Sequence, residues 1–326
     1  MGNVTLTEER TADGGWGAES LDLDAYFARI GYDGPRTATT RTLAALHRAH
    51  HAAVCFENLD VALGREMPLD VESLQRKMVA TRRGGYCFEQ NLLFAAALER
   101  LGFPLTRHLA RIRRGWRTVR YRSHAALVVE AEGRPYLCDV GYGDEGLIEP
   151  IPFEPGARLT VGDWTWGVGL DGDEWILQSL HPDGWFDVYA LRLERHHPAD
   201  FEVSHYYTAH HPASRFTGAV VAMRGDEHVR HTLKNRTLAA RYADGRTLRT
   251  ELAPPTRWST CCAAPSASPS PARRPSSSSG AWPRTATDPA ARDRLEEAPP
   301  CSDRPPARKA STSAWSPSAP PPTTRT

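Results

Sequence analysis

A single cysteine lies where the sequence predicts that a tight turn becomes a helix. Residues 82–94 run RRGGYCFEQNLLF, so Cys87 follows two glycines and an aromatic residue. At a helix N-terminus, unpaired backbone N–H groups and the positive end of the helix dipole both favour a thiolate. We expect Gly84 and Gly85 to let the backbone approach the thiol and to leave room for a substrate. Cys87 is therefore a candidate nucleophile, and an inert core cysteine is the alternative.

A nucleophilic thiol needs a base, and the base needs a group that orients it. His124 opens the apolar run HAALVVEA, and Asp139 follows the next run, RPYLC. A turn at Glu132 and Gly133 predicts a hairpin that would bring the imidazole and the carboxylate together. A carboxylate at an apolar strand end needs a buried partner, which an imidazolium supplies. Taken singly, His124 could be a core histidine and Asp139 a turn residue before Gly141.

The elements that position these side chains change in kind along the chain. Before about residue 101 the apolar residues recur at helical spacing, with Asp22 or Asp24 and then Asp70 as expected N-caps. From about Phe103 the pattern has the period of two that is typical of strands. The four helical patterns cover residues 21–32, 40–54, 68–85 and 198–211. The strand patterns beyond the hairpin are EWILQSL, WFDVYAL, AVVAMRG and RTLAARY.

Composition excludes several classes of function. The chain has 326 residues and a net charge of +1, so no overall field favours nucleic acid or a membrane surface. It has no apolar run of the roughly 18 residues that a membrane span needs, and its polar N-terminus has no signal-peptide core. We therefore expect a cytoplasmic protein whose six cysteines are free thiols. None of them forms a CxxC pair, so we predict no metal site.

The composition changes sharply near Ala253. Residues 253–326 are rich in Pro, Ser, Ala, Arg and Thr and have no apolar periodicity, which predicts a disordered tail. A second hypothesis is a frameshift. Residues 258–271 can be back-translated with GC-rich codons and read in a frame moved back by one base. One solution is then LVDLLRRTFGITLP, which has the helical apolar pattern that the printed frame lacks. Resequencing the DNA around codon 254 tests this hypothesis.

Several motifs resemble those of the arylamine N-acetyltransferase family. RRGGYCFEQN is similar to the nucleophile motif of that family almost letter for letter, and CFENLD (55–60) resembles its PFENLD segment. SHAALVV and DVGYGD resemble the segments that carry the family's histidine and aspartate, and YYTAHHPASRF (206–216) resembles a stretch of its lid domain. The resemblance covers roughly residues 20–252, and the tail after 252 shows none.

The resemblance implies an α+β, multi-domain fold with a helical bundle, a β-barrel and an α/β lid around a cysteine-protease-like Cys-His-Asp core. Its expected segments are a flexible N-terminus (1–19), the bundle with the nucleophile (20–101), the barrel with His and Asp (102–192), a truncated lid (193–252) and the tail (253–326).

The implied activity belongs to xenobiotic metabolism. Cys87, His124 and Asp139 would form a catalytic triad that takes acetyl from acetyl-CoA, as a co-substrate, through a thioester to an arylamine or arylhydrazine. No metal is implied. Phe56 and Tyr142 would line the acceptor pocket, and His211 would lie near the substrate and coenzyme channel, with a surface loop as its alternative place.

Two further features have a structural interpretation. Glu89 and Asn91 are expected to fix the entrance of the nucleophile helix. The basic run RHLARIRRGWRTVRYR (107–122) is expected to be the solvated face of a hairpin, and attraction of coenzyme phosphates is its alternative.

Other functions stay open at this point. An amide synthase that closes an ansamycin-type macrolactam from a polyketide thioester shares the nucleophile motif. A cysteine hydrolase could use the same triad. A chain with an altered tail could be the product of a gene that is losing its function, with an intact triad and little activity.

Overall fold

The computed structural model describes residues 15–114 and 119–253. The helices are α1 (Leu23–Ile30), α2 (Thr40–Ala53), α3 (Leu59–Ala62), α4 (Val71–Gln75), α5 (Cys87–Arg100) and α6 (Pro198–His210), with a 3₁₀ turn at Ala18–Ser20 and a π-helical turn at Arg76–Ala80 after α4. The strands are β1 (Phe56–Glu57), β2 (Leu105–Ile112), β3 (His124–Ala131), β4 (Arg134–Cys138), β5 (Ile151–Pro152), β6 (Arg158–Val161), β7 (Trp164–Asp171), β8 (Glu174–His181), β9 (Gly184–Leu191), β10 (Val221–Gly225), β11 (Arg230–Lys234), β12 (Thr237–Arg241) and β13 (Thr247–Glu251).

The first helices begin at the caps that the sequence predicts. The Asp22 carboxylate accepts the N–H of Ala25 at the start of α1, and the Asp70 carboxylate accepts the N–H of Ser73 at the start of α4, at 2.9 and 2.8 Å. Helix α1 ends at Gly31, which adopts the left-handed conformation that glycine favours there. Local sequence therefore sets these boundaries.

Helix α5 is the central element of the helical part. Its residues from Cys87 to Leu98 are all buried. A helix that is covered all round has to lie inside a domain, and α5 packs against α1, α4, β2 and β3. Its first residue is Cys87, as the sequence predicts, so the candidate nucleophile is held by a helix that is buried along most of its length.

Eight strands form a sheet that nearly closes into a barrel. Their order is β5-β4-β3-β2-β9-β8-β7-β6, and every neighbouring pair is antiparallel. The edge strand β5 also lies close to β6 and β7, which is what brings the two edges of the sheet together. The interior is filled by large apolar side chains such as Trp166, Tyr189 and Leu177.

The hairpin predicted at Glu132 and Gly133 is present. Both residues have positive φ, 51° and 75°, as a two-residue hairpin turn requires. Strand β3 is buried on both faces rather than on alternate residues, because α5 covers one face and the barrel interior the other. His124 opens β3 and Asp139 follows β4, so this hairpin carries both side chains toward α5.

A second sheet joins the short strand β1 to the last four strands of the described chain. Its order is β1-β10-β11-β12-β13, so the short strand β1 pairs with β10, and Phe56 lies opposite Met223. Asn58 reinforces the junction, since its Nδ2 donates to the carbonyls of Phe216 and Ala219. The segment after residue 193 is therefore fixed beside β1 and Asn58.

A buried ion cluster holds the second sheet against the barrel. Glu145 is fully buried and accepts from Arg230 at 2.6 Å and from Ser179 at 2.9 Å, and it also pairs with Arg241. The Arg230 guanidinium lies 3.7 Å from the centre of the Trp164 ring. Burial raises the pKa of Glu145, but His181 and the two arginines outweigh it and hold that pKa well below its ordinary value.

The structure differs from two expectations based on the sequence. Arg107 is not solvated: it is buried, donates both Nη atoms to Glu99 at 2.9 and 2.7 Å, and lies over the ring of Trp16. The solvated-face interpretation of the basic run is therefore wrong at this position. Trp16 lies within the segment 1–19 that the sequence predicts to be flexible, but it packs edge-on against Phe201.

Some predictions fall outside the described residues. These include the first fourteen residues of the expected flexible N-terminus, the expected disordered tail after residue 253, and the frameshift hypothesis. Within 15–114 and 119–253, the structure has no helix that is both long and apolar enough to span a bilayer.

Candidate active site

The turn before Cys87 is fixed by a network of buried charges. The Glu89 carboxylate accepts the N–H of Tyr86 at 3.1 Å and receives Lys77 at 2.7 Å. Lys77 also pairs with Asp60 at 2.7 Å. Burial opposes the charge on Lys77, but Glu89, Glu57 and Asp60 outweigh it and raise its pKa. Glu89 therefore fixes the entrance of α5, which is the role the sequence indicates.

Cys87 itself lies at the wall of a cavity. It is 3% exposed, and its Sγ lies 3.7 Å from the carbonyl oxygen of Ser123. His124, the next residue after Ser123, lines the same cavity as Cys87. The start of β3 thus runs past the start of α5 with the imidazole beside the thiol.

The His124 ring is engaged on both sides. Its Nε2 lies 2.6 Å from Oδ2 of Asp139, which leaves Nδ1 for Cys87. Burial lowers the pKa of His124, but the charge and hydrogen bond of Asp139, followed by a hydrogen bond with Cys87, raise it to about 10. The imidazolium is therefore the stable form at neutral pH, and a protonated ring beside the sulfur favours the thiolate.

Asp139 is fully buried and saturated with donors. Its Oδ1 accepts from Asn91 Nδ2 at 2.9 Å and from the N–H of Gly141 at 3.0 Å. Burial raises the pKa of Asp139, but His124, Asn91 and Gly141 outweigh it, so the carboxylate stays ionised. A carboxylate held in this way orients the ring and stabilises its positive charge.

Two polar side chains, His47 and Asn91, hold Asp139 in place, and the sequence did not assign this role to either of them. His47 on α2 accepts the N–H of Asp139 at its Nε2, at 3.1 Å, while its Nδ1 lies 3.0 Å from the carbonyl of Ile148. Burial lowers the pKa of His47 to about 4, so its ring is neutral. The helical pattern of α2 marks His47 only as one of several buried positions, so no signal in the sequence identifies it.

Asn91 has a different role from the expected one. Its Nδ2 also donates to the carbonyl of Ala125 at 2.7 Å, and its Oδ1 accepts the N–H of Val140 at 3.1 Å. It therefore ties α5 to β3 and to the segment that follows β4, and it does not fix the helix entrance. The signal that could have found it is spacing, because a residue four positions after Cys87 lies on the same helix face.

The glycine that approaches the nucleophile is Gly141. A Cβ at Gly141 would lie 2.8 Å from Cα of Cys87, whereas one at Gly84 would lie 2.2 Å from the carbonyl oxygen of Cys55. A Cβ at Gly85 would meet Glu89 and Met78. The expectation that Gly84 and Gly85 make room at the thiol is wrong, because both glycines serve the packing of the turn.

The cavity beside Cys87 has a volume of about 200 Å³, and the thiol lies in its wall. Its wall is mostly aromatic and apolar, and Phe56 and Tyr142 belong to it. Tyr142 also packs edge-on against His124, with ring centres 5.1 Å apart. His211 is exposed, stacks on Tyr207 and is not among the residues that line this cavity.

Three arginines also line the cavity. They are Arg114, Arg120 and Arg215. Arg114 and Arg120 come from the basic run, so two of its side chains line the candidate site. Arg215 lies in the segment 206–216, and no signal in the sequence distinguishes it from its neighbours. Arg114 lies 3.4 Å from each oxygen of Asp144.

The remaining cysteines and the possible metal ligands form no second catalytic or metal centre among the described residues. Cys55 is half-buried and Cys138 is buried, and Cys261, Cys262 and Cys301 lie outside the described residues. Among the residues that the structure describes, no group of three or more His, Cys, Asp or Glu side chains could hold a metal ion.

Comparison with known proteins gives a consistent result. A family model described as N-acetyltransferase matches residues 39–263. The match ends inside the expected tail, so the statement that resemblance stops at 252 is wrong. An arylamine N-acetyltransferase of Escherichia coli is 37% identical over 195 residues, which are 60% of this chain and 69% of that protein.

Solved structures agree with the sequence relatives. The arylamine N-acetyltransferase of Nocardia farcinica has a TM-score of 0.69 and 39% identity, and the alignment covers 73% of this chain and 86% of the other. The Mycobacterium marinum enzyme in complex with CoA has a TM-score of 0.67 and 31% identity, with 71% and 87% covered. The α+β fold is that of these proteins.

Proposed function

Because this chain belongs to the arylamine N-acetyltransferase family, we propose that Cys87, His124 and Asp139 are its catalytic triad. The activity of the chain is arylamine N-acetylation with acetyl-CoA as donor. The observation that carries the triad is the position of His124, whose ring contacts Asp139 on one side and Cys87 on the other, at the wall of a cavity.

In the first half-reaction the Cys87 thiolate attacks the carbonyl carbon of the acetyl thioester. The carbon–sulfur bond to coenzyme A breaks, and the leaving thiolate takes the proton of the His124 imidazolium. Coenzyme A leaves as the thiol, and the acetyl group stays on Cys87. The loss of the negative sulfur removes one of the influences that raise the pKa of His124, which prepares the ring to act as a base.

In the second half-reaction an arylamine attacks the acetyl carbon. Neutral His124 takes a proton from the amine as the carbon–nitrogen bond forms, and the Cys87 thiolate leaves. The products are the acetylated amine and the restored ion pair. Asp139 does not move a proton in either step; it keeps Nε2 of the ring protonated and aimed at itself, so that Nδ1 faces the sulfur.

Phe56 and Tyr142 are proposed to hold the aromatic ring of the acceptor. Both are buried, and both line the cavity that contains Cys87. Flat aromatic walls bind a flat ring through offset or edge-on contacts. His211 stays a prediction at the rim of the cavity, since Ala213, two residues later, belongs to the wall. A cytoplasmic location suits a reaction that needs a reduced thiol.

The rival activities have less support. The relatives and structures reported above are all named arylamine N-acetyltransferases, so the macrolactam-forming amide synthase is not supported. Hydrolysis would need water to reach the acyl-cysteine before the amine does. The mostly apolar cavity wall favours an aromatic acceptor over water.

Steady-state kinetics test the proposal. Initial rates at several acetyl-CoA and arylamine concentrations should give the parallel double-reciprocal lines of a ping-pong reaction. Cys87→Ser should lose activity, while Cys55→Ser, the same change at a thiol that lies 3.4 Å from the carbonyl oxygen of Phe56 and 3.3 Å from that of Met223, should keep it. Intersecting lines would contradict the covalent route, and coenzyme A release that is equally fast without amine would indicate a hydrolase.

A further inference from the structure

Strand β13 (Thr247–Glu251) forms the outer edge of the second sheet. It pairs with β12 on one side, and among the strands that the structure describes none pairs with its other side. All five of its residues are exposed. The opposite edge of the sheet differs, because Phe56 of β1 is bridged there to Gly85. Within the described chain, β13 is therefore the open edge of this sheet.

The backbone of β13 directs half of its hydrogen-bonding groups away from the sheet. The N–H of Leu252, just after the strand, donates to the carbonyl of Arg236 at 2.8 Å. In an antiparallel strand alternate residues bond to the same neighbour, so the even-numbered residues of β13 face β12 and the odd-numbered ones face outward. The outward residues are Thr247, Arg249 and Glu251. An edge strand in this state is a template for pairing with another strand.

The sequence of this edge is symmetric in chemical character. Residues 248–252 read LRTEL, with Thr250 at the centre, a cation and an anion beside it, and a leucine at each end. An antiparallel second copy with Thr250 opposite itself would set Arg249 opposite Glu251 of that copy. It would also set Leu248 opposite Leu252. Opposite charges and apolar side chains directly across two strands are favourable, so the strand is complementary to itself, as a two-fold interface requires.

Backbone geometry and charge select this register over its neighbours. The outward groups belong to odd-numbered residues, so two copies can form a hydrogen-bonded ladder only where odd-numbered residues lie opposite each other. With Thr250 on the two-fold axis, Arg249 and Glu251 meet this condition. A shift that puts Arg249 on the axis also meets it, but it sets two guanidiniums against each other, which is destabilising. A shift that puts Leu248 on the axis sets Arg249 opposite Thr247 and forms no charge pair.

The two charged side chains are accessible to a partner. Arg249 is exposed and makes no ion pair with any residue in 15–114 or 119–253. Glu251 accepts from Thr237 at 2.9 Å and lies 3.7 Å from Arg236, but its side chain is 60% exposed, so a second guanidinium can reach it. Charged residues on an edge strand usually keep two copies apart. Here the opposite signs, placed symmetrically about Thr250, favour the contact.

We propose that β13 is an interaction surface for a second copy of this chain, with the two strands antiparallel and Thr250 on the two-fold axis. The two five-stranded sheets then form one continuous sheet. Association stops at two copies, because each copy uses its open edge and the opposite edge is bridged to Gly85. One strand pair is smaller than the interface of a permanent dimer. The dimer should therefore form and dissociate with protein concentration.

Charge reversal tests both the surface and its register. Sedimentation equilibrium of the full chain, from about 1 µM to about 1 mM, should show a monomer that converts to a dimer. Arg249→Glu sets carboxylates against each other across the axis, and Glu251→Arg sets guanidiniums against each other. Each single variant should raise the dissociation constant at least about tenfold. The double variant restores opposite signs and should dimerise like the wild type.

A mixture of the two single variants identifies the contact. Arg249→Glu chains have only carboxylates at the two charged positions, and Glu251→Arg chains have only guanidiniums. The two variants should therefore associate with each other, although neither associates with itself. Arg36→Glu is the matched control, since it makes the same charge change at an exposed arginine outside the second sheet. Its dissociation constant should stay within about twofold of the wild type.

Four results would overturn the inference. They are a wild type that stays monomeric up to about 1 mM, single variants that dimerise as tightly as the wild type, a mixture that stays monomeric, and complexes larger than a dimer. A thermal unfolding curve shows that each monomeric variant is folded, and the double variant and the mixture keep the test decisive if one single variant is less stable. Neither Arg249 nor Glu251 is among the described residues that line the Cys87 cavity. The acetylation rate of the variants should therefore match the wild type.

Discussion

Replacement of Asp139 by asparagine tests how the ion pair is maintained. The change keeps the size of a fully buried side chain and removes the negative charge that faces Nε2 of His124. Without that charge, burial becomes the dominant influence on the ring. Two buried histidines of this chain show the result, since burial lowers the pKa of His47 to about 4 and that of His50 to about 3.

The magnitude follows from the pKa of His124. It is about 10 in the folded protein against an ordinary 6.5, a difference worth about 5 kcal/mol in favour of the imidazolium at 1.36 kcal/mol for each pKa unit. In Asp139→Asn the pKa of His124 should fall below 6.5, so the ring is neutral at pH 7 and no longer stabilises a thiolate. We expect the acylation rate to fall roughly 100- to 10,000-fold, the scale seen when a triad loses its carboxylate.

Alkylation of Cys87 by iodoacetamide measures the ion pair without the rest of the reaction. In the wild type the rate should be nearly constant between about pH 6 and pH 9, because the imidazolium loses its proton only near its raised pKa. In Asp139→Asn the rate should be low at neutral pH and should rise with pH. Asp163→Asn, which removes an exposed carboxylate that pairs with His228, is the control and should have the wild-type profile.

A thermal unfolding curve shows whether Asp139→Asn is folded, so that a loss of activity is not caused by misfolding. If folded Asp139→Asn is acylated within about twofold of the wild-type rate and keeps a flat alkylation profile, the carboxylate does not maintain the ion pair. The assignment of Asp139 would then be wrong.

Two other substitutions test the packing around the site. Gly141→Ala should lower the acylation rate about 100-fold, because the new Cβ would lie 2.8 Å from Cα of Cys87; single-turnover acylation measures this, and a rate near the wild type would show that the segment adjusts freely. Glu145→Gln should lower the free energy of unfolding by about 3–5 kcal/mol in urea at neutral pH, because it leaves Arg230 buried without its carboxylate. Since the folded-state pKa of Glu145 lies below its ordinary 4.5, its contribution is present above that pH and is lost as the pH falls. The difference between the two proteins should therefore shrink in acid, and a difference independent of pH would contradict the assignment.

Local sequence signals were sufficient for the elements that carry the site. Asp22 and Asp70 cap α1 and α4, the Glu132–Gly133 turn closes the hairpin, and Cys87 opens α5. Each of these features depends on a few neighbouring residues, so its signal lies in one short stretch of sequence. The patterns for β8, β9, β10, β12 and α6 were confirmed for the same reason.

Contacts between distant segments could not be predicted in this way. His47 and Asp139 are far apart in the sequence and meet only because α2 packs beside the hairpin. Arg107 is in a stretch whose composition indicates a solvated face, yet Glu99 and Trp16 bury it. Strands β6, β7, β11 and β13 had no separate signal, since their pairing with neighbouring strands decides their conformation.

The most direct test of the account locates the acetyl group. The protein is incubated with acetyl-CoA without an acceptor, quenched in acid, digested, and mapped by mass spectrometry. A single acetyl group should be found on the peptide with Cys87, should be absent from Cys87→Ser, and should disappear from the wild type when an arylamine is added before the quench. Acetyl groups on Cys55 or Cys138 instead, or an adduct on Cys87 that persists with amine present, would contradict a transient thioester at Cys87.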